Sequence, residues 1–374
     1  MIRFKHINDT IIMTQKQVKL NKRQDRILAV LKNGVHLLIA EIAKSIESDF
    51  AGVPKITINR DLQKLIDFDF VSKSGRGRAT TYGLTPHFKL IERIDVQKYF
   101  QDEADKRIFN EMFNFNIFSF LRNLFTEEEK KKLNTLNSVY KNNIKKLSET
   151  LVKKEFERLL IELSWKSSQI EGNTYTLLET EALLKNNKKA KGHEREESIM
   201  ILNHKKTFDY IRSNKDTFKI ISVSKIEDVH SLLVLGLGIP KNIRNKAVGI
   251  TGTKYRPLDN QFQVREALEK SCALVNDEKD PFAKALLLSV MIAYIQPFED
   301  GNKRTSRLMG NAMLIAYDMC PLSYRSVDEV EYKKAVILFY EQNNINYFKQ
   351  LFVEQFEFAV GNYFKTKDIT TKKA

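Results

Sequence analysis

The chain has 374 residues, a net charge of +15 and a pI near 9.4, with 42% hydrophobic and 29% charged residues. This balance fits a globular chain of two or three domains and excludes a disordered one, and no run reaches the ~18 apolar residues that cross a bilayer. Residues 1–6 have no apolar core of a signal peptide. Cys272 and Cys320, each inside an apolar stretch, fit buried thiols in a reducing cytoplasm, and the six histidines show no metal-ligand spacing. With only 14 glycines and 7 prolines, long apolar runs of period 3.6 predict a mainly α protein.

In chain order, residues 23–33 predict a helix with Ile27, Leu28, Val30 and Leu31 on one face, stopped by Gly34. Residues 38–48 repeat the pattern through Ile39, Ile42 and Ile46. A turn with Gly52 and Pro54 leads to a third helix over 55–67, with Ile58, Leu62, Leu65 and Ile66 inward. Residues 70–84 read as two short strands around a Gly75–Gly77 turn. Residues 1–90 hold 16 Lys and Arg against 8 Asp and Glu, so this quarter of the chain carries about half the excess charge. Three helices followed by a basic hairpin resemble the winged helix-turn-helix family of DNA-binding domains. The resemblance implies a recognition helix presenting Thr57, Asn59, Arg60 and Lys64, and a wing offering Lys73, Arg76 and Arg78 to phosphates. Asp61, Asp67 and Asp69 interrupt the basic face, and docking of a protein partner is the competing use.

The expected organisation is a winged-helix domain over 1–90, connecting helices over 91–150, a helical domain over 151–364 and a flexible basic tail over 365–374. The phenylalanine-rich stretch 101–125 reads as core packing, and the charge run 127–132 as a solvated helix face. Helix then follows helix, interrupted near 247–258.

The chemistry concentrates between two apolar helix patterns, 283–295 and 305–317. Asp300-Gly301-Asn302-Lys303 falls in a tight loop at a helix N-terminus, where free backbone N–H groups and the positive dipole end favour an anion. Gly301 lets the backbone approach a phosphate. Arg304 and Arg307, three apart, share a helix face and reach one polyphosphate. Asp300 is a hard oxygen ligand suited to Mg²⁺.

These residues resemble the Fic family motif, His-Pro-Phe-x-Asp/Glu-Gly-Asn-Gly-Arg-x-x-Arg, at Pro297, Phe298, Asp300, Gly301, Asn302, Arg304 and Arg307. Lys303 replaces the second glycine, as in the related Doc branch. The resemblance covers roughly 151–364 and implies a fold with an all-helical Fic-like core and a short β-hairpin flap, beside the small winged-helix domain. It also implies transfer of AMP from ATP to a hydroxyl of a target protein, with Mg²⁺ on Asp300, phosphates on Gly301, Asn302, Lys303, Arg304 and Arg307, and Asn302 and Arg304 in the catalytic group. Gln296 stands where the family has its catalytic histidine. An amide does not titrate near neutrality, so it cannot take the hydroxyl proton.

Upstream, Ser167-x-x-x-Glu171-Gly172-Asn173 resembles the family's inhibitory motif, which implies that Glu171 pairs with Arg307 and blocks the γ-phosphate pocket. Val248 and Ile250 alternating with Gly249 and Gly252 suggest a hairpin, and the family places a target-aligning flap there, over Gly249, Ile250, Thr251 and Gly252. The expectation is a self-inhibited, ATP- and Mg²⁺-dependent protein adenylyltransferase weakened by Gln296. Its alternative is a catalytically silent ATP-binding, DNA-binding transcriptional regulator. The expected partners are a target protein and DNA, with no membrane; a homodimer is left open.

Overall fold

The computed structural model describes residues 20–33, 36–107 and 109–365. Gly34 and the expected tail beyond Lys365 lie outside the described residues. The chain divides into two compact units, one formed by the described residues up to Phe88 with Asn123–Lys131, the other by Lys89–Arg122 and the residues from Lys132 onward.

The first unit runs α1 (Lys22–Asn33), β1 (Leu37–Leu38), α2 (Ile39–Ile46), α3 (Lys55–Asp67), β2 (Val71–Ser74) and β3 (Thr81–Leu84). The strands form an antiparallel sheet in the order β1-β3-β2, with Leu37 opposite Tyr82 and Val71 opposite Leu84. Ile27, Leu31, Ile42, Ile46, Ile58, Leu62 and Leu65 fill its core, each from the apolar stripe of its helix. The hairpin turn requires glycine at residue 75: φ is +84°, and a Cβ there would lie 2.5 Å from the Ala79 carbonyl oxygen. Asp61 is buried and paired with Arg23, and it accepts from Gln24 (3.0 Å) and Asn21 (3.3 Å). It is therefore withdrawn from the outer face of α3, where Asp67 remains exposed beside the basic residues.

Two short helices follow, α4 (Pro86–Ile91) and α5 (Val96–Tyr99), and then a long one, α6 (Glu127–Lys146). The stretch between α5 and α6 departs from the expected connecting helices. Its described residues carry only a 3-10 turn, Phe115–Ser119. The apolar content is right, but asparagine side chains compete for the backbone: Asn114 Oδ1 accepts from Asn116 N at 3.0 Å, and Asn123 adopts φ +50°. Phe113 still packs inward, stacked 4.6 Å from Tyr294.

The rest of the second unit is helical: α7 (Glu149–Gln169), α8 (Leu177–Asn186), α9 (Arg195–Ser213), α10 (Val223–Leu233), α11 (Gln261–Asp277), α12 (Pro281–Ile295), α13 (Asn302–Ala316), α14 (Glu329–Gln342) and α15 (Asn346–Asn362). α12 is apolar on every side and is buried from Phe282 to Ile295, as an all-round hydrophobic helix must be. α13 packs directly on it. A Cβ on Gly310 would stand 2.1 Å from Ser289 Oγ and 3.2 Å from the Ala285 carbonyl oxygen. Gly310→Ala is therefore expected to lower stability by about 1–3 kcal/mol through overpacking, read from a denaturant midpoint with nucleotide absent.

Residues 247–258 form an extended loop with a turn at Thr251 and Gly252 (φ +86°). Its two arms carry no strand ladder, and Arg256 makes a single parallel bridge to Met112. Their backbone groups are taken up elsewhere: Arg256 N donates to the Glu111 carbonyl (2.7 Å) and Gly252 O accepts from Arg107 (2.7 Å). Cys272 and Cys320 are buried free thiols.

Candidate active site

α12 ends where Gln296 turns left-handed, at φ 51°. Its side chain folds back as a cap. Nε2 donates to the Ala293 carbonyl (2.7 Å) and to Tyr340 Oη (3.2 Å), while Oε1 accepts from Asn302 Nδ2 (3.0 Å). Asn302 completes the loop by accepting from Phe298 N (2.9 Å) and donating to the Phe298 carbonyl (2.7 Å). Phe298 is fully buried and stacks on His230 at 3.6 Å. The His230 ring also meets the Asp300 carbonyl through Nε2 (3.0 Å). Burial pushes its pKa down to about 4, so it is a neutral packing residue.

Gly301 caps α13 at φ +80°, and a Cβ there would press Val234 at 3.3 Å. Gly301 therefore lets the first turn of α13 lie close against Val234 and His230. Arg304 is 1% exposed and touches one acid, Asp300 Oδ2 at 3.3 Å, whose side chain is 66% exposed. Its Nε and Nη1 are buried without a hydrogen-bond partner, and burial works against its charge. Arg304 is thus a buried guanidinium with two unmatched nitrogens, a costly arrangement. Asp300 also accepts from Gly301 N (2.6 Å). Among the described residues no group of three or more His, Cys, Asp or Glu could hold a metal. One exposed carboxylate, Asp300, still fits Mg²⁺, which takes few protein ligands and completes its shell with phosphates and water.

Arg307 is fully buried and is held by α7. Its Nε donates to Ser167 Oγ (3.0 Å), and Nη2 donates to the Ser167 carbonyl (2.8 Å) and to Glu171 Oε1 (2.9 Å). The other Glu171 oxygen accepts from Lys303 Nζ (2.9 Å). Burial raises the Glu171 pKa, but Arg307 and Lys303 outweigh it and hold the carboxyl at about 2. The following loop is tied down as well. Gly172 takes φ +95°, Asn173 Nδ2 donates to the Glu197 carbonyl (3.0 Å), and Thr174 N donates to Glu197 Oε1 (2.9 Å). Behind the arginines lies His204, fully buried, its pKa lowered to about 3 by burial and then by Arg307 and Arg304.

Sequence reasoning missed Arg244. It is 2% exposed and joins the motif loop to residues 247–258. Its backbone N donates to the Pro297 carbonyl (3.0 Å), and its guanidinium donates to the carbonyls of Gln296 (2.6 Å), Lys246 (2.6 Å) and Leu258. No local pattern marks a lone arginine in a loop. In that segment Gly249, Thr251 and Gly252 are exposed and Ile250 half-buried. In the first unit, Asn59, Arg60 and Lys64 on α3, and Lys73, Arg76 and Arg78 on the hairpin, are exposed, while Thr57 is half-buried.

Residues 220–314 match the Fic/DOC family model. A protein adenylyltransferase Fic from Nematostella vectensis is 31% identical over 175 residues, covering 44% of this chain and 40% of the relative. A probable protein adenylyltransferase from Aquifex aeolicus is 24% identical over 131 residues, covering 32% and 41%. The chain thus spans about two fifths of the length of these curated relatives. Among solved structures, Fic-1 from C. elegans superposes with a TM-score of 0.56 at 16% identity, over 91% of this chain and 96% of that one. A Fic-domain signalling protein from Bacteroides thetaiotaomicron gives a TM-score of 0.52 at 19% identity, over 63% and 99%. No described helix is long and apolar enough to cross a membrane. The motif loop, its two helices and these likenesses agree: residues 220–314 resemble the Fic/DOC family, within a chain that has a Fic-like helical fold.

Proposed function

We propose that this chain binds ATP with Mg²⁺ at the N-terminus of α13, is held closed by Glu171, and belongs to the class that transfers AMP to a hydroxyl of a target protein. The observation that carries the reading is Arg304, a buried guanidinium with unmatched N–H groups in the first turn of α13, beside a second arginine occupied by a carboxylate. Asp300 would hold Mg²⁺, which supplies charge neutralisation at the phosphates. Arg304 and Arg307 would clamp the outer phosphates and stabilise pyrophosphate as it leaves. The catalytic contribution is positioning and electrostatics. When the hydroxyl oxygen attacks the α-phosphorus, its proton must go to solvent or to phosphate, because Gln296 cannot accept it.

Isothermal titration tests this. Glu171→Gly protein binds ATP with Mg²⁺, and adding Arg304→Ala weakens that binding by about 100-fold or more, since a buried charged anchor is lost. Equal affinity with and without Arg304 would remove the proposal.

One observation favours a second reading. Gln296 spends its amide on Ala293, Tyr340 and Asn302, a structural use that suits a nucleotide-binding regulator without transfer. The exposed basic residues of α3 and the hairpin would then give that regulator a DNA-binding unit. If they contact phosphates, DNA retention falls steeply between about 50 and 200 mM salt. Arg78→Glu lowers both affinity and slope, and a flat salt response in a mobility-shift titration excludes DNA.

A further inference from the structure

The turn of the loop 247–258 is gripped by a part of the chain outside the phosphate motif, the gate and the family match. Glu341, near the end of α14, is fully buried, and each carboxylate oxygen accepts two hydrogen bonds. Oε1 takes Arg107 Nη2 (2.9 Å) and Thr253 Oγ1 (2.6 Å); Oε2 takes Arg107 Nε (3.0 Å) and Tyr99 Oη (2.7 Å). Arg107 Nη2 also donates to the Gly252 carbonyl at 2.7 Å, and Nη1 donates to the Asp102 carbonyl at 3.2 Å. The Arg107 side chain is 6% exposed and lies over the Phe100 ring at 5.0 Å. Two lighter ties run alongside, from Lys254 to Asp105 (2.9 Å) and from Arg256 N to the Glu111 carbonyl (2.7 Å).

A buried ion pair adds little net stability, but with every acceptor position filled it specifies one arrangement, and losing one partner strands the other. Here the arrangement so specified is that of the loop tip, whose arms have no ladder of their own to hold them. We infer that Arg107, locked by Glu341, is a positioning residue for this loop. Through Gly252 and Thr253 it sets where the extended backbone offers its hydrogen-bonding edge to a target polypeptide. Residues 99–112 thereby take part in target selection. Mediation by a planar fork also explains why the residue is arginine: a lysine ammonium cannot reach Glu341 and the Gly252 carbonyl with the same geometry.

The inference rests on reading 247–258 as the target-aligning segment, and the experiment separates the two. Amide hydrogen exchange is measured on full-length Arg107→Ala protein. Exchange at Tyr255 and Arg256, whose amides donate to Thr253 Oγ1 and the Glu111 carbonyl, rises about tenfold or more while α12 and α13 keep their protection, as local opening requires. In the Glu171→Gly background, ATP affinity stays within about twofold. In Glu171→Gly, Gln296→His protein, self-labelling slows about tenfold with the KM for ATP unchanged. Arg107→Lys falls between wild type and Arg107→Ala. If Arg107→Ala fails to fold, Thr253→Val carries the test, with faster exchange expected at Arg256. Unchanged exchange at the loop, an equal rise in α12 and α13, or a parallel loss of ATP affinity overturns the inference. Absence of labelling in every background removes the transfer reading and leaves the exchange result to decide this one.

Discussion

Replacing Glu171 with glycine tightens ATP binding at least tenfold, measured by titration calorimetry with Mg²⁺ present. The contact being removed is strong: one carboxylate holds Arg307 and Lys303, each at 2.9 Å. A charge-assisted hydrogen bond contributes about 1.5–3 kcal/mol, and about 1.4 kcal/mol corresponds to a tenfold change in affinity. ATP must displace both contacts before its phosphates reach the guanidinium. Glu171→Gln, which keeps an acceptor without its charge, gains less. Without nucleotide the glycine variant melts lower, because Arg307 is left buried with only Ser167 and the Tyr332 ring, and saturating ATP restores the loss by mass action. An affinity change below about threefold would dismiss the gate.

Acid does not open this gate near neutrality. The carboxyl is held down at about 2 in the folded chain. Its contribution to stability is therefore complete above the ordinary carboxylate range, near 4.5, and is lost as pH falls from there through about 2. If Glu171 closes the site, release would come from competition by nucleotide or from displacing α7 or its loop, which Asn173 and Thr174 tie to Glu197.

Adding Gln296→His to the Glu171→Gly variant raises AMP labelling by about 10²–10⁴, the usual contribution of a positioned general base. Labelled ATP, with self-labelling and a cell lysate as acceptors, reads it directly. The left-handed backbone at φ 51° accepts histidine, a residue enriched there among non-glycines. The neighbouring Ala293 carbonyl can accept from the N–H of an imidazole as it does from the amide now, which leaves the other ring nitrogen to take the proton. If Glu171→Gly is silent and the double variant labels, the chain is a nucleotide-binding regulator whose chemistry went with the histidine. If Glu171→Gly alone labels as fast as the double variant, Gln296 is no handicap and the proton leaves by another route.

Much of this arrangement is legible in the sequence where local pattern carries it. α3 spans the residues its apolar spacing predicts, and α12 and α13 flank the loop that Asp300-Gly301 marks. Glu171 and Arg307 are 136 positions apart, and only the family resemblance pairs them. The illegible parts are of two kinds. Between α5 and α6, phenylalanines give a core signal, but asparagines turn the backbone away from helix. At Arg107, Glu341 and Arg244, single polar residues meet across more than 200 positions or inside a loop, and no periodicity announces such meetings. The extended segment 247–258 shows the intermediate case. Its alternation of inward and outward residues is in the sequence, but the partners of its backbone are not.

Gln296 has one more consequence. With an amide at that position, a gate carboxyl held at about 2 and His204 at about 3, none of these three groups changes charge anywhere near neutrality. If the proposed site binds nucleotide, its occupancy does not drift with acidity near neutrality through any of them, and would follow the supply of nucleotide and magnesium instead.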